Sequence, residues 1–296
     1  GRDHDRSEDG GHRKSTKLCT ARFIPRKTPH HARKVTMIKK LLMDPARQVI
    51  ERLGYDLTKK NYQGYGVDPY LDIQRIASRI SYAVHNCFDI GANIGQTARI
   101  MEKYFPNASI YSFEPVEETF RKLDENISNS PRIRGFNMAL SSSAGSAEII
   151  QYSNSLVASL NAEAPYVVNY ETEVTRAECQ VGTVDRMIVE LGIDAIDLLK
   201  IDTEGHDIEV LEGAADTLAA SRCGFILVEF AALFSSASYK GTSLIDLGNL
   251  LDKTGYRFLC SYTDAIHLGD RPFQVSNALF LRKALVGEKP SAPEVV

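Results

Sequence analysis

The 296-residue chain lacks clustered cysteines and long apolar runs, and both absences exclude classes of protein. Its five cysteines are scattered without a CxxC pair, which argues against a disulfide framework or a zinc site and is typical of reduced thiols. The longest apolar stretch, Phe225–Phe234, contains Glu229 and is far shorter than the roughly 20 residues that cross a bilayer. The N-terminal region also lacks the apolar core of a signal peptide. We therefore expect a cytoplasmic protein without a membrane span.

Positive charge is scarce outside the first 40 residues. These residues hold twelve of the 35 lysines and arginines together with four acidic residues, whereas the remaining 256 residues hold 23 basic and 34 acidic ones. An acidic body argues against a nucleic-acid partner, because a phosphate backbone requires a basic surface. Residues 1–36 have no apolar period, so we expect a disordered basic extension. It is either an upstream leftover before a natural start at Met37 or a tail that binds an acidic partner.

Helix and strand signals divide the rest of the chain into segments. Residues 37–85 contain two helix starts, Asp44-Pro45 and Asp68-Pro69, and are expected to form an N-terminal helical segment. This segment either packs on the flank of the main fold or makes a peripheral contact with a membrane surface. Strands and helices alternate through residues 86–285, which predicts an α/β domain with a mostly parallel sheet and helices on both faces. Residues 286–296 are expected to form a flexible tail.

Two parts of this alternation are less clear. Residues 140–182 look irregular, with a single strand predicted at Ala147–Tyr152. Residues Ile208–Leu218 have helical spacing and are predicted to form one helix between two strands.

A strand, a glycine-rich turn and the start of a helix follow one another at Phe88–Thr97. Glycines such as Gly91 and Gly95 let the backbone approach a ligand closely, and the helix N-terminus presents free N–H groups. Glu114 follows 19 residues after Gly95, at the end of the second predicted strand. An acid at this place is positioned to bind the hydroxyls of a ribose, so the pattern indicates a nucleoside cofactor.

The details of the turn favour a cationic cofactor. Asn93 stands where a dinucleotide fingerprint has its second close-approach glycine, which disfavours a nicotinamide-dependent dehydrogenase. Asp89 precedes the first glycine by two residues, and its negative charge suits a cation better than a pyrophosphate. S-adenosyl-L-methionine, which carries an ammonium and a sulfonium, fits this charge.

A second polar cluster follows the apolar strand predicted near Leu198–Ile201. Asp202, Glu204 and His206 lie at its carboxyl end, where ligands bind in open α/β sheets, and Glu229 lies in the next strand. A hydroxyl that accepts a methyl group must lose its proton to a base or be acidified by a metal. These four residues are the catalytic candidates. A divalent metal is compatible with their oxygens, but their spacing does not require one.

At these motifs the chain resembles the FkbM family of S-adenosylmethionine-dependent methyltransferases. The resemblance extends over roughly residues 86–282 and rests on three blocks. They are Phe88–Thr97 with Glu114-Pro115, Asn137–Leu140 with Gly145 and Ser159-Leu160, and Thr183–Ala214 with Val228–Phe230. The third block is the most specific of the three.

The resemblance implies a seven-stranded Rossmann-like methyltransferase sheet with an antiparallel closing strand. It implies an S-adenosylmethionine-dependent O-methyltransferase whose acceptor is a hydroxyl of a sugar-containing compound, a glycan, a glycolipid or a secondary metabolite. A non-catalytic adenosyl-cofactor-binding protein on the same fold is the alternative. The cofactor-binding residues implied or included in the matching blocks are Asp89, Gly91, Asn93, Gly95, Thr97, Glu114, Asn137 and Ala139.

Overall fold

The computed structural model describes residues 64–152, 158–160, 173–233, 242–267 and 273–287. The predicted basic extension, the helix after Asp44-Pro45 and most of the C-terminal tail lie outside these residues. The predicted domain boundaries therefore remain predictions.

Within these described residues, eleven strands form two sheets. In chain order they are β1 (Asn86–Ile90), β2 (Ser109–Phe113), β3 (Ile133–Phe136), β4 (Ala139–Leu140), β5 (Gly145–Tyr152), β6 (Ala158–Ser159), β7 (Glu173–Gly182), β8 (Ile196–Ile201), β9 (Cys223–Leu233), β10 (Tyr256–His267) and β11 (Phe273–Arg282). The main sheet has seven strands in the order β3-β2-β1-β8-β9-β11-β10. The pairs from β3 to β9 are parallel, and β11 runs antiparallel to both of its neighbours. This topology confirms the predicted seven-stranded, mostly parallel sheet with an antiparallel strand near its edge.

Helices pack on both faces of the main sheet. They are α1 (Pro69–Arg79), α2 (Gln96–Tyr104), α3 (Glu117–Ile127), α4 (Val184–Leu191), α5 (Asp207–Glu212), α6 (Ala215–Ala219) and α7 (Leu244–Lys253), and a 3-10 turn spans Lys283–Val286. Residues of α1, α2 and α3 share one apolar core with the sheet, and residues of α4 to α7 share the other. None of the described helices is both long and apolar enough to cross a membrane.

Helix α1 begins at the predicted Asp68-Pro69 signal. The Asp68 side chain accepts a hydrogen bond from the Leu71 N–H at 3.0 Å, and proline occupies the first helical position, where no N–H is needed. Tyr262 on β10 donates to the buried Asp72 carboxylate at 3.1 Å. The helix is thereby tied to the face of the main sheet.

The interpretation of residues 140–182 was incomplete. This region contains a second sheet of four strands in the order β4-β7-β5-β6. Only β5 had been predicted, as Ala147–Tyr152. The missed strand β7 pairs antiparallel with β5. Its buried apolar side chains are Cys179 and Val181, so the alternation of apolar and polar residues along the strand is a weak signal in the sequence. A half-exposed strand of this kind depends on its partner more than on its own sequence.

The prediction of one helix over Ile208–Leu218 was wrong. The segment forms two short helices, α5 and α6, separated at Gly213 and Ala214. A Cβ at Gly213 would lie 1.9 Å from the carbonyl oxygen of Ser141, so the break brings this backbone against the second sheet. The close approach across the fold, rather than helical periodicity, decides the structure there.

Candidate active site

The main sheet has a point where the strand order reverses direction, between β1 and β8. Ligands of open α/β sheets bind outside the carboxyl ends of the strands at such a point. A cavity of about 320 Å³ lies there, lined by the ends of β1, β2 and β8 and by residues of the second sheet. The second sheet and its flanks contribute Met138, Ala139, Leu140, Ile149, Ala158 and Leu160.

The glycine turn after β1 lies directly against the end of β8. Gly91 has φ +76°, and a Cβ on it would lie 1.8 Å from the carbonyl oxygen of Asp202. The Asp202 N–H donates to the carbonyl of Ile90 at 3.1 Å, which holds the two strand ends together. Gly95, with φ +92°, caps α2, and a Cβ on it would lie 2.8 Å from Leu123 Cδ1. The turn therefore requires glycine at Gly91 for both backbone conformation and space.

Glu114 lies at the end of β2 with its carboxylate held by the backbone. Its Oε2 accepts from the Asn93 N–H at 3.0 Å, and its Oε1 accepts from the Val116 N–H at 2.9 Å. Asn137 donates from Nδ2 to the Glu114 carbonyl at 2.9 Å, so it supports the loop from outside the cavity. Burial raises the pKa of Glu114 to about 7, although the two backbone N–H groups act in the opposite direction. Glu114 itself lines the cavity, as do Asn93, Thr97 and Ala139.

Asp89 occupies a different place from the one the sequence suggests. Its side chain is fully buried and is not part of the cavity lining. Burial raises the pKa of its carboxyl, and the nearby Lys200 opposes that rise. Lys200 Nζ lies 3.5 Å from Asp89 Oδ1, so the acid faces a lysine of the same sheet.

Lys200 is a site residue that the sequence analysis missed. It lines the cavity, and its Nζ lies 3.1 Å from Asp202 Oδ2. Burial alone would lower the pKa of Lys200, but Asp202 and Asp89 together raise it above its ordinary value. The signal that could have found it is a charge within the otherwise apolar run Leu198–Ile201, just before the polar cluster that begins at Asp202.

The polar cluster after β8 reaches the cavity as predicted from its spacing. Asp202, Glu204 and His206 all line it. His206 Nε2 shares a 2.9 Å hydrogen bond with Ser141 Oγ, and its Nδ1 lies 3.6 Å from Glu209 Oε2. Burial lowers the pKa of His206, which favours the neutral imidazole.

Glu229 lies close to this cluster but is not part of the cavity lining. Burial raises its pKa well above the ordinary value, and the nearby carboxylates of Asp202, Glu204 and Asp207 raise it further. The protonated carboxyl is therefore favoured at Glu229. In the described residues, no three His, Cys, Asp or Glu side chains converge on a common metal position.

Asp207, at the start of α5, organises the loop that follows β8. Its Oδ1 accepts from the N–H and the hydroxyl of Thr203, both at 2.9 Å, and its Oδ2 accepts from Thr242 Oγ1 at 2.8 Å. Burial raises the pKa of Asp207 to about 6 while these three hydrogen bonds oppose the rise. No local motif predicts a role for Asp207, because its partner Thr242 is 35 positions away.

The cavity thus combines three chemical features. Glu114 at the end of β2 is placed to accept hydrogen bonds from paired hydroxyls. Apolar side chains such as Leu140 and Ile149 suit contact with a flat ring. The charged pair of Lys200 and Asp202 suits a charged group at one end of a ligand. The turn at Gly91 has no room for a side chain, because the Asp202 carbonyl occupies that space, and Gly91 itself lines the cavity.

A seven-stranded sheet of this order, with its cavity at the point of reversal, defines the Rossmann-like methyltransferase class. Residues 89–258 match the methyltransferase FkbM domain, and the chain belongs to this family. Helix α1 precedes the matched residues.

Three similar proteins set the scale of the resemblance. Hexuronic acid methyltransferase AglP of Haloferax volcanii is 30% identical over 145 residues, which are 48% of this chain and 54% of that protein. The 2-O-methyltransferase NoeI of Sinorhizobium fredii is 27% identical over 151 residues, 48% of this chain and 61% of that protein. A TehB-like SAM-dependent methyltransferase from Corynebacterium glutamicum aligns over 86% of this chain and 100% of its own, with 11% identity and a TM-score of 0.36. The match therefore spans little more than half the length of the two curated relatives.

Proposed function

We propose that the protein is an S-adenosyl-L-methionine-dependent O-methyltransferase that acts on a hydroxyl of a sugar-containing or secondary-metabolite acceptor. The observation that carries the proposal is the convergence of Glu114, Lys200, Asp202 and His206 on one cavity at the point of strand reversal. Membership of the FkbM methyltransferase family supports the reaction class.

Different residues of the cavity would hold different parts of the cofactor. Glu114 would accept hydrogen bonds from the ribose hydroxyls, since its two oxygens are fixed by backbone N–H groups. Ala139, Leu140 and Ile149 would pack against the adenine ring. Gly91 and Asn93 would present backbone to the amino-acid end. The bound cofactor supplies a methyl group already activated on a sulfonium, so the protein needs chiefly to align the acceptor and take its proton.

We assign the proton transfer to His206. Its Nε2 lies within hydrogen-bond distance of the Ser141 hydroxyl, and an acceptor hydroxyl that replaced this serine would meet the same nitrogen. The lowered pKa favours a neutral imidazole able to accept a proton. Asp202 faces Lys200 and suits orientation of the charged groups, and Glu204, which lines the cavity, is the alternative base. Glu229 fits that role poorly, because it lies outside the cavity lining and its protonated form is favoured.

A carbohydrate acceptor is supported by the relatives. The name of one refers to a hexuronic acid and that of another to 2-O-methylation. The acceptor would be a glycan, a glycolipid or a free glycoside, brought to the side of the cavity formed by the second sheet. Ser141 and Ser159 hold His206 and Glu204 at the edge of that side, through the Ser141 Oγ–His206 Nε2 hydrogen bond and the bond from Ser159 Oγ to the Glu204 carbonyl.

Calorimetric titration with S-adenosylhomocysteine, with NAD as the control ligand, tests the cofactor. Transfer of labelled methyl groups to a panel of glycosides tests the reaction. We expect His206→Gln to lower kcat by about 10²- to 10⁴-fold, because a positioned base contributes that much, and to leave S-adenosylhomocysteine binding unchanged. His85→Gln is the matched control, since His85 is exposed and precedes β1 at the opposite end of the strand.

Absence of S-adenosylhomocysteine binding would contradict the proposal. Binding without transfer to any acceptor would favour the non-catalytic alternative.

A further inference from the structure

Lys200 is the one charged side chain in β8 that faces the cavity, and the residues around it in the strand are apolar. Leu198, Leu199 and Ile201 are fully buried, and Lys200 itself is 4% exposed. Among the described residues that line the cavity, Lys200 is the only lysine or arginine.

Three oxygens surround the ammonium group. Asp202 Oδ2 lies 3.1 Å from Nζ, and Asp89 Oδ1 and the Gly91 carbonyl oxygen each lie 3.5 Å from it. Asp89 and Lys200 are direct partners in the β1–β8 register, so the strand pairing itself brings them together. Asp202 is different from Asp89, because a third of its side chain is exposed at the cavity.

Asp89 is fully buried, and Lys200 is the cation that opposes the effect of burial on its pKa. The backbone N–H of Ala98, at the start of α2, makes a smaller contribution in the same direction. Removing two charges from water costs free energy that their attraction only partly returns, and apolar residues of similar volume often serve stability as well or better. Stability of the sheet therefore does not explain why a lysine and an aspartate stand side by side at its centre.

Taking the proposed function as given, we propose that Lys200 binds the carboxylate of the cofactor's amino-acid end and that Asp89 is its buried counter-charge. The amino-acid end carries a carboxylate and an ammonium. Lys200 offers a cation to the first, and the exposed face of Asp202 offers an anion to the second. Glu114 is assigned to the ribose, so the carboxylate must lie in the part of the cavity nearer Lys200. Asp89 acts through Lys200 and is a positioning residue.

Tyr70 of helix α1 lies beside this charged group. It is buried, and its hydroxyl interacts with Thr97 near Lys200, Asp89 and Asp202. Burial raises the pKa of the Tyr70 phenol, which keeps it neutral, so the tyrosine excludes water without competing for Lys200.

Two ligands that differ only at the amino-acid end test the assignment. S-adenosylhomocysteine has this end, whereas 5′-methylthioadenosine lacks it. We expect Lys200→Met to weaken S-adenosylhomocysteine about 10- to 100-fold, as for the loss of a hydrogen bond to a charged group, and to leave 5′-methylthioadenosine unchanged. Calorimetric dissociation constants for both ligands on each variant give the comparison.

A second variant distinguishes loss of ligand binding from misfolding. Lys200→Met alone leaves Asp89 buried without a counter-charge, so the double variant with Asp89→Asn removes both charges together. We expect the double variant to melt close to the wild-type temperature and to show the same selective loss of S-adenosylhomocysteine. Lys122→Met is the matched control, because Lys122 is exposed on α3 and pairs with Glu118 on the surface.

Each outcome decides the assignment. Selective loss of S-adenosylhomocysteine supports it. Two results overturn the assignment and leave the proposed function intact. The first is a folded double variant that binds S-adenosylhomocysteine as tightly as the wild type, and the second is an equal loss of affinity for both ligands. A wild-type protein that binds neither ligand overturns the proposed function as well.

Discussion

The two sheets contribute different chemistry to the one cavity they share. The main sheet brings charges and close backbone contacts, with Glu114, Lys200 and Asp202 beside the turn at Gly91. The second sheet and its flanks bring apolar side chains to the cavity, and two serines of this region contact the loop after β8. Ser141 Oγ lies 2.9 Å from His206 Nε2, and Ser159 Oγ donates to the Glu204 carbonyl at 2.8 Å.

Under the proposed function, this difference separates the residues that would bind the cofactor from those that position the loop after β8. Charges and a glycine turn on strands of the main sheet suit a ligand with fixed polar groups. Hydroxyl contacts from the second sheet set the position of His206 and Glu204 instead. We therefore expect substitutions in the main sheet to change ligand affinity, and substitutions at the junction of the sheets to change stability and turnover.

The largest effect is expected from Gly91→Ala. The new Cβ would lie 1.8 Å from the Asp202 carbonyl oxygen at a φ of +76°, so clash and backbone strain combine. We expect a loss of about 2–4 kcal/mol in the free energy of unfolding and no measurable S-adenosylhomocysteine binding. Denaturant unfolding and calorimetry measure the two effects.

Gly213→Ala is the matched variant at the junction of the sheets. Its Cβ would lie 1.9 Å from the Ser141 carbonyl oxygen, but its φ of −72° is ordinary and Gly213 is not part of the cavity lining. We expect a loss of about 1–3 kcal/mol in stability with S-adenosylhomocysteine affinity preserved. Equal losses of affinity in both variants would contradict the expectation that the main sheet determines ligand affinity and the junction of the sheets does not.

The next effect concerns Glu114 and pH. The pKa of Glu114 in the folded protein, about 7, lies above its ordinary value of 4.5. Between these two pH values the folded protein therefore holds a proton on Glu114 that the unfolded chain has released. Ionisation of this group should therefore lower stability as pH rises from its ordinary pKa through about 7. Ribose hydroxyls donate to the ionised form, so S-adenosylhomocysteine affinity should rise between about pH 6 and 8.

Glu114→Gln checks this assignment. We expect it to weaken S-adenosylhomocysteine by about 10- to 100-fold and to abolish the dependence of its affinity on pH near 7. Titrations at several pH values measure both. Retention of the same pH dependence in the variant would assign the titration to another group.

The smallest effect is expected from Ser159→Ala. The hydroxyl of this buried serine donates to the Glu204 carbonyl at 2.8 Å, and its removal should cost about 1 kcal/mol of stability. Ser128→Ala removes an analogous hydroxyl-to-carbonyl bond at the exposed end of α3 and should cost less. Thermal melts of the two variants give the comparison, and an equal cost would contradict the role of Ser159 in joining the sheets.

Local patterns predicted most of the main sheet and part of the cavity. The Phe88–Thr97 turn and the Asp202–His206 cluster could be placed because each lies at the end of an apolar strand, and such ends meet at one edge of a parallel sheet. Strand β7 was missed because few of its side chains are buried, and Gly213 was read as helical because its contact with Ser141 is remote in sequence.

The sequence by itself determined the alternation of strands and helices in the main sheet apart from the break at Gly213, the glycine turn, and the acids and histidine at the strand ends, since these depend on periods and turns within a few residues. The tertiary structure alone decided which charges meet. Asp89 and Lys200 become neighbours only through the register of β1 with β8, and Ser141 reaches His206 only because the second sheet folds over the end of the first. Pairing between distant segments is not encoded in any local spacing, so the charge arrangement of the cavity had to be read from the fold.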